Sequence, residues 1–181
     1  VSVGSGTDAL VLAIKALGIG PGDEVIVPAH TFIASIYAIK ANGATPILID
    51  VGQDELMDVS QLESLITPRT KAILPVHFHG KICDMDKILD VAEKYNLFVI
   101  EDSCQALGSW RPYNYKIAER HAETNTKPYR MGGAFGHIGC FSFNTPKLMG
   151  GWGDGGGITT DDYELAKKIT KLCLSDIEKT G

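Results

Sequence analysis

Five short apolar runs, "EVIVP", "TPILID", "KAILPVH", "LFVIED" and "IGCFSF", most narrow what this chain can become. Their apolar residues run on with little alternation, the pattern of strands mostly buried on both faces. Between them lie segments of helical period. "TDALVLAIKALG" carries Leu10, Ala13, Ile14 and Leu17 at helical spacing before Gly18, and "FIASIYAIKANG" closes the same way at Gly43. "SQLESLI" opens on Ser60 with Glu63 following at capping-box spacing, and "DMDKILDVAEKYN" and "DDYELAKKITKLCL" complete the helices. Strands alternating with helices predict an α/β fold, a three-layer αβα sandwich around a mostly parallel sheet.

The 181 residues, 44% hydrophobic, suffice for one such core, so a single domain over 1–181 is expected. Only "SWRPYNYKIAERHAETNTKPYRMGG", Ser109 to Gly133, breaks the rhythm. Polar, aromatic and charged without a period, it reads as an inserted surface loop. Its Trp110, Tyr113, Tyr115 and Tyr129, with Arg111, Arg120 and Arg130, could stack on a sugar or base and pair with a diphosphate; a plain surface loop has the same composition.

A net charge of −5 argues against nucleic acid or an anionic membrane as partner, so any anion must be held locally. No apolar run approaches the roughly 20 residues of a membrane span. The opening "VSVGSGTDAL" has neither the basic flank nor the apolar core of a signal peptide, and a cytoplasmic location is expected. Cys83, Cys104, Cys140 and Cys173 form no Cys-x-x-Cys pair and have no zinc-like histidine spacing; they read as reduced structural thiols, with no metal.

Parallel sheets gather ligands beyond the carboxyl ends of their strands, which directs attention to His30, Asp50, His77, Asp102 and the glycine-rich segment. "GSGTDAL" enters a helix through small residues. Its free backbone N–H groups, with the Ser5 and Thr7 hydroxyls, suit an anion such as phosphate, and the same residues serve equally as a simple helix cap. "VIEDSCQA" sets Glu101 and Asp102 at the end of a buried strand, where a carboxylate needs a cation or several donors; read alone, structural pairing accounts for it. In "FSFNTPKLMGGWGDGGG", Lys147 is either a solvated amine or, in a glycine-lined pocket, a Schiff-base nucleophile.

Taken in order, "SGTDAL", "PAHTFIAS", "EDSCQA" and "GCFSFNTPK…GDGG" resemble the sugar aminotransferases of the DegT/DnrJ/EryC1/StrS family, from Val1 to about Ala166. The resemblance implies the large domain of a fold-type I enzyme dependent on pyridoxal 5′-phosphate. It makes Lys147 the Schiff-base residue and proton carrier, and Asp102 the carboxylate facing the pyridine nitrogen. It sets Gln105 near the ring hydroxyl, Phe32 over the ring face, and Gly6, Thr7 and Ser142 at the phosphate. The glycines of Gly150 to Gly157 would leave room for Lys147 to swing, with Asp154 fixing the loop. Lysine rather than histidine at position 147 argues against the related sugar dehydratases. "NTPK" and His137 depart from the usual pattern without removing a named catalytic group.

The implied reaction moves an amino group from L-glutamate to a nucleotide-linked keto-sugar by a ping-pong course, in a homodimer. Family members extend beyond both ends of this stretch, so a large-domain fragment is expected. A silent cofactor-binding fragment and an enzyme acting on amino acids are the alternatives.

Overall fold

Alternation along the central strands divides the apolar side chains between two cores. Val25 and Val27 pack with Ala9, Leu10, Ala13, Ile14 and Ile169 on one face, and Ile26 between them packs with Ile49, Leu62, Met85 and Ile88 on the other. Ile100 and Leu74 join the first group, Val99 and Ile73 the second. A strand with apolar residues at successive positions must be covered on both sides, and helices provide that cover. Each fully buried aliphatic side chain contributes roughly 1.5–3 kcal/mol.

The computed structural model describes residues 1–112 and 129–174. Along the chain it has β1 (Ser2–Val3), α1 (Gly6–Ala16), β2 (Glu24–Pro28), α2 (Ile33–Ala41) and β3 (Thr45–Ile49). A 3-10 helix (Val59–Leu65), β4 (Thr70–Ile73), α3 (Met85–Tyr95), β5 (Phe98–Asp102), β6 (Trp110–Pro112) and β7 (Tyr129–Met131) follow. β8 (Ile138–Ser142), β9 (Gly156–Thr159) and α4 (Tyr163–Leu174) complete the order. Seven strands form one sheet in the order β1-β9-β8-β5-β4-β2-β3, and β6 and β7 form a separate ribbon. The five expected apolar runs are β2, β3, β4, β5 and β8, parallel wherever they neighbour one another. β9 runs antiparallel to β8 and to β1. The fold is therefore the expected α/β sandwich with a mostly parallel sheet.

Four details differ from the reading of the sequence. β3 is an edge strand, and Leu48 on it is exposed. The "SQLESLI" segment is a 3-10 helix capped by Asp58, whose carboxylate accepts from Ser60 N at 3.0 Å and Ser60 Oγ at 2.6 Å; Ser60 is capped rather than capping. Gly156 and Gly157 do not belong to a loose loop but to β9, opposite Ser142 and Phe141. A Cβ on Gly156 would lie 2.3 Å from Ser5 O, so glycine is required by the close approach of the α1 entry. The ends of the Ser109–Gly133 excursion are ordered as the antiparallel ribbon, whereas Tyr113, Tyr115 and Arg120 lie outside the described residues.

Glu101 ties the entry of β8 to β5. Its side chain has no exposed surface, and its Oε1 accepts from Phe135 N at 2.7 Å and Gly136 N at 2.6 Å. Its Oε2 accepts from Gly133 N at 2.9 Å and lies 2.8 Å from Nε2 of the equally buried His77. The Cys83 amide donates to His77 Nδ1 at 3.3 Å, which puts the ring proton on Nε2, toward Glu101. Every donor points at the carboxylate, so either orientation of a glutamine amide would set an N–H against other N–H groups. Glu101→Gln is expected to cost about 2–4 kcal/mol of stability. A urea titration followed by circular dichroism measures it, and an unchanged midpoint would refute the clamp.

Candidate active site

Strand direction brings the candidate residues to one edge of the sheet. β2, β4, β5 and β8 are parallel and end on the same side. β9 runs back from that side, so the loop between Ser142 and Gly156, which carries Lys147, lies there as well. β1 is antiparallel to β9 and therefore ends beside Ser142, where α1 starts. Gly6 and Thr7, Phe32, Asp102 and Gln105, and Ser142 and Lys147 thus follow β1, β2, β5 and β8 at a single edge.

Gly6 opens α1 against the end of β8. A Cβ there would lie 2.7 Å from Ser142 Cβ and 2.9 Å from Cys104 Sγ, so any side chain would fill the space that these residues enclose. Ser5 is the N-cap, its Oγ accepting from Asp8 N at 3.1 Å. This leaves the Thr7 hydroxyl, one residue into the helix, and the Ser142 hydroxyl as donors beside the positive end of the α1 dipole.

Asp102 is 6% exposed and meets its partners without a cation. Its Oδ2 accepts from Ser35 Oγ at 2.7 Å, and its Oδ1 from Cys104 N at 3.1 Å. Among the described residues no Arg or Lys forms an ion pair with it. The Gln105 side-chain oxygen accepts from His79 N at 3.0 Å, leaving the amide nitrogen as the donor. Phe32 is the N-cap residue of α2 and is 65% exposed.

Lys147 sits in a tied turn. Its N–H donates to Asn144 O at 2.8 Å, Gly151 N to Phe143 O at 2.8 Å, and Phe143 N to Gly155 O at 2.7 Å. Asn144 Nδ2 bonds Asp154 Oδ1 across the loop. The loop backbone is therefore fixed at both ends.

The electrostatics of Cys104 report on its neighbours. Burial pushes its thiol pKa far up, the Asp102 charge adds to this, and the Lys147 charge works against it. Cys140 is raised in the same way, by burial and then by Asp102 and Glu101. All four cysteines are free.

Arg111, a candidate diphosphate partner from its composition alone, is committed elsewhere. Its Nη1 donates to Cys83 O at 2.6 Å, and its Nη2 lies 3.5 Å from Asp84 and 3.7 Å from Asp86. Trp110 and Tyr129 meet edge to face at 4.8 Å on the ribbon, both exposed. Sequence reasoning missed Ser35 and Thr31: Thr31 stands just before the N-cap of α2, and its bond to Ser35 depends on how the chain enters that helix. It also missed the contact of Gly6 with Cys104, which no local pattern encodes.

A seven-stranded, mostly parallel α/β sheet with these groups at its carboxyl edge is the architecture of the large domain of aminotransferases. The chain belongs to the DegT/DnrJ/EryC1/StrS aminotransferase family, which matches residues 1–181. It is 47% identical over 173 residues to the UDP-N-acetyl-3-dehydro-alpha-D-glucosamine 3-aminotransferase of Acidithiobacillus ferrooxidans, covering 95% of this chain and 42% of that one. It superimposes with a TM-score of 0.82 and 44% identity on DesV of S. venezuelae in complex with a ketimine intermediate, over 95% of this chain and 42% of that one. With NtdA of Bacillus subtilis with bound cofactor PMP, the TM-score is 0.81 and the identity 39%, over 96% of this chain and 36% of that one. The chain thus spans less than half the length of these relatives.

If Cys104 lies between the two charges, neutralising them must move its reactivity in opposite directions. Asp102→Asn should speed its alkylation by iodoacetamide at pH 8.5 roughly three- to tenfold, and Lys147→Met should slow it. Peptide mass spectrometry reads both rates; no change in either would place Cys104 away from the pair.

Proposed function

We propose that residues 1–181 form the cofactor-binding large domain of a pyridoxal 5′-phosphate-dependent aminotransferase, with 109–133 as an inserted loop. The whole protein moves an amino group from L-glutamate to a nucleotide-linked keto-sugar in two half-reactions, as a cytoplasmic homodimer. The observation that carries this reading is the convergence of Gly6, Ser142, Asp102 and Lys147 at one sheet edge, with Gly6 too close to Ser142 and Cys104 to bear a side chain. The family's dependence on pyridoxal phosphate and the sugar aminotransferases among its members support it.

The residues present fit that cofactor. The cradle at Gly6 has a helix N-terminus and two hydroxyls, a donor set for a phosphate dianion, with Gly6, Thr7 and Ser142 as its holders. When bound, the cofactor supplies a carbonyl that takes up an amine and a ring that draws electrons from the carbon beside it. Asp102, whose partners are the neutral donors Ser35 Oγ and Cys104 N, would hold a proton on the ring nitrogen. Lys147 would hold the cofactor through its amine, and that same amine, when free, would accept and return a proton at Nζ. With its side-chain oxygen held by His79 N, Gln105 would have its amide nitrogen free for the ring hydroxyl, and Phe32 would cover a ring face.

Phe32, Ile33, Tyr37, Leu148 and Trp152 are exposed apolar side chains of the kind that a second subunit would cover. No helix among the described residues is long and apolar enough to cross a membrane.

Borohydride treatment after incubation with pyridoxal phosphate is expected to fix the cofactor on one peptide containing Lys147, and to leave Lys147→Ala unlabelled. Full labelling of Lys147→Ala would overturn the assignment.

For the reaction, a protein carrying the flanking segments is to be mixed with 2-oxoglutarate and a panel of amino-sugar nucleotides, with keto-sugar and glutamate followed by mass. Glutamate formation with at least one sugar is expected. Failure with all of them beside rapid exchange between amino acids would mean an amino-acid aminotransferase; binding without any exchange would mean the silent reading.

A further inference from the structure

Asp102 is held from a distance by a directed pair of hydroxyls. Ser35 Oγ, with no exposed surface, lies 2.7 Å from Asp102 Oδ2, and Thr31 Oγ1 lies 2.9 Å from Ser35 Oγ. A serine hydroxyl has one hydrogen. When the carboxylate is ionised that hydrogen goes to Oδ2, so the bond between Thr31 and Ser35 must run from Thr31 to Ser35. The chain of donors is therefore Thr31 to Ser35 to Asp102, and each bond polarises the next.

We infer that Ser35, oriented by Thr31, is a positioning residue for Asp102: it fixes the carboxylate's rotamer through a neutral donor, so that no cation competes with the ring nitrogen of a bound pyridoxal cofactor. This rests on the cofactor reading above. A buried carboxylate can be kept ionised by a cation or by neutral donors. A lysine or arginine partner would neutralise it and weaken its pull on a protonated pyridine. Neutral donors hold the same geometry without that competition. The second donor, Cys104 N at 3.1 Å from Oδ1, follows Asp102 in its own turn, so it moves with Asp102 and cannot set its direction. Ser35 is on α2, 67 residues away, and can. It also lies in the first turn of α2, where the helix dipole favours a nearby negative charge. The titratable groups around Asp102 are the Cys104 and Cys140 thiols, Glu101 and Lys147; burial and the neighbouring charge keep both thiols protonated.

The test uses pyridoxamine 5′-phosphate, which contacts the site without bonding to Lys147. Ser35→Ala is expected to weaken its binding about tenfold, the lower end for a hydrogen bond to a charged group, and Thr31→Val two- to threefold. Ser35→Thr, which keeps the hydroxyl, should restore most of the affinity; failure to do so while the variant remains folded would count against the hydroxyl. Two controls separate positioning from simple packing. In an Asp102→Asn background Ser35→Ala should have little further effect, and the 1-deaza analogue of the ligand, lacking the ring nitrogen, should bind Ser35→Ala and the unmodified chain alike. An equal tenfold loss in the Asp102→Asn background or with the deaza analogue would overturn the inference. Thermal melts of the ligand-free single and double variants provide an arm that needs no cofactor: the shifts from Ser35→Ala and Asp102→Asn should be markedly non-additive. Additive shifts would overturn the relay itself. No binding of the ligand to the unmodified chain, with non-additive melts, would instead sink the cofactor reading and leave the relay standing.

Discussion

A buried carboxylate must find donors or give up its charge, and the end of β5 meets that requirement twice in succession. Glu101 and Asp102 point to opposite faces of the strand, as successive residues must. Glu101 turns into the core near His77 and accepts three backbone amides from Gly133 to Gly136, so it fixes how the chain returns from the excursion into β8. Asp102 turns toward α2 and accepts only a hydroxyl and one amide. The first arrangement is saturated and serves the fold. The second leaves acceptor capacity open, and that difference separates the structural carboxylate from the candidate catalytic one.

The return of β9 alongside β8 matters as much as the parallel order. Had the chain crossed over again after β8, only the first residues after Ser142 would have stayed at the carboxyl edge, and Gly156 would not have returned beside Ser142. An antiparallel return keeps the segment with Lys147 at the edge where β2, β4 and β5 end, close enough for its charge to act on Cys104. The same return carries Gly156 against Ser5 O, and with it the start of α1 against Ser142. One reversal of direction thereby joins the phosphate-type cradle and the lysine loop to the carboxylate.

Continuous apolar runs are legible in a sequence because a doubly buried strand has no polar face to interrupt them, and β2, β4, β5 and β8 show that plainly. β9 was not legible. "GGIT" has the composition of a loop, yet it pairs with β8 and β1 as a strand, and it carries Gly156 because a bulkier residue would strike Ser5 O, over 150 positions away. The Ser60 capping box failed for a local reason: Asp58, two residues earlier, offers a charged acceptor to the same backbone and wins. The candidate site residues were legible as an ordered set of motifs, whereas the bond from Ser35 to Asp102 depends on the packing of α2 on the sheet, which spacing does not report.

α2 joins two demands that pull in different directions. Phe32 at its start is 65% exposed, and Ser35, one turn later, is fully buried. The helix lacks a side-chain cap, so its entry is set by what Phe32 and the residues after it contact. Apolar cover over Phe32, Ile33 and Tyr37 would bear on the same first turn that holds Ser35 against Asp102. Burying that surface would then bear on the aim of the carboxylate as well, because a helix of about two and a half turns shifts largely as one piece.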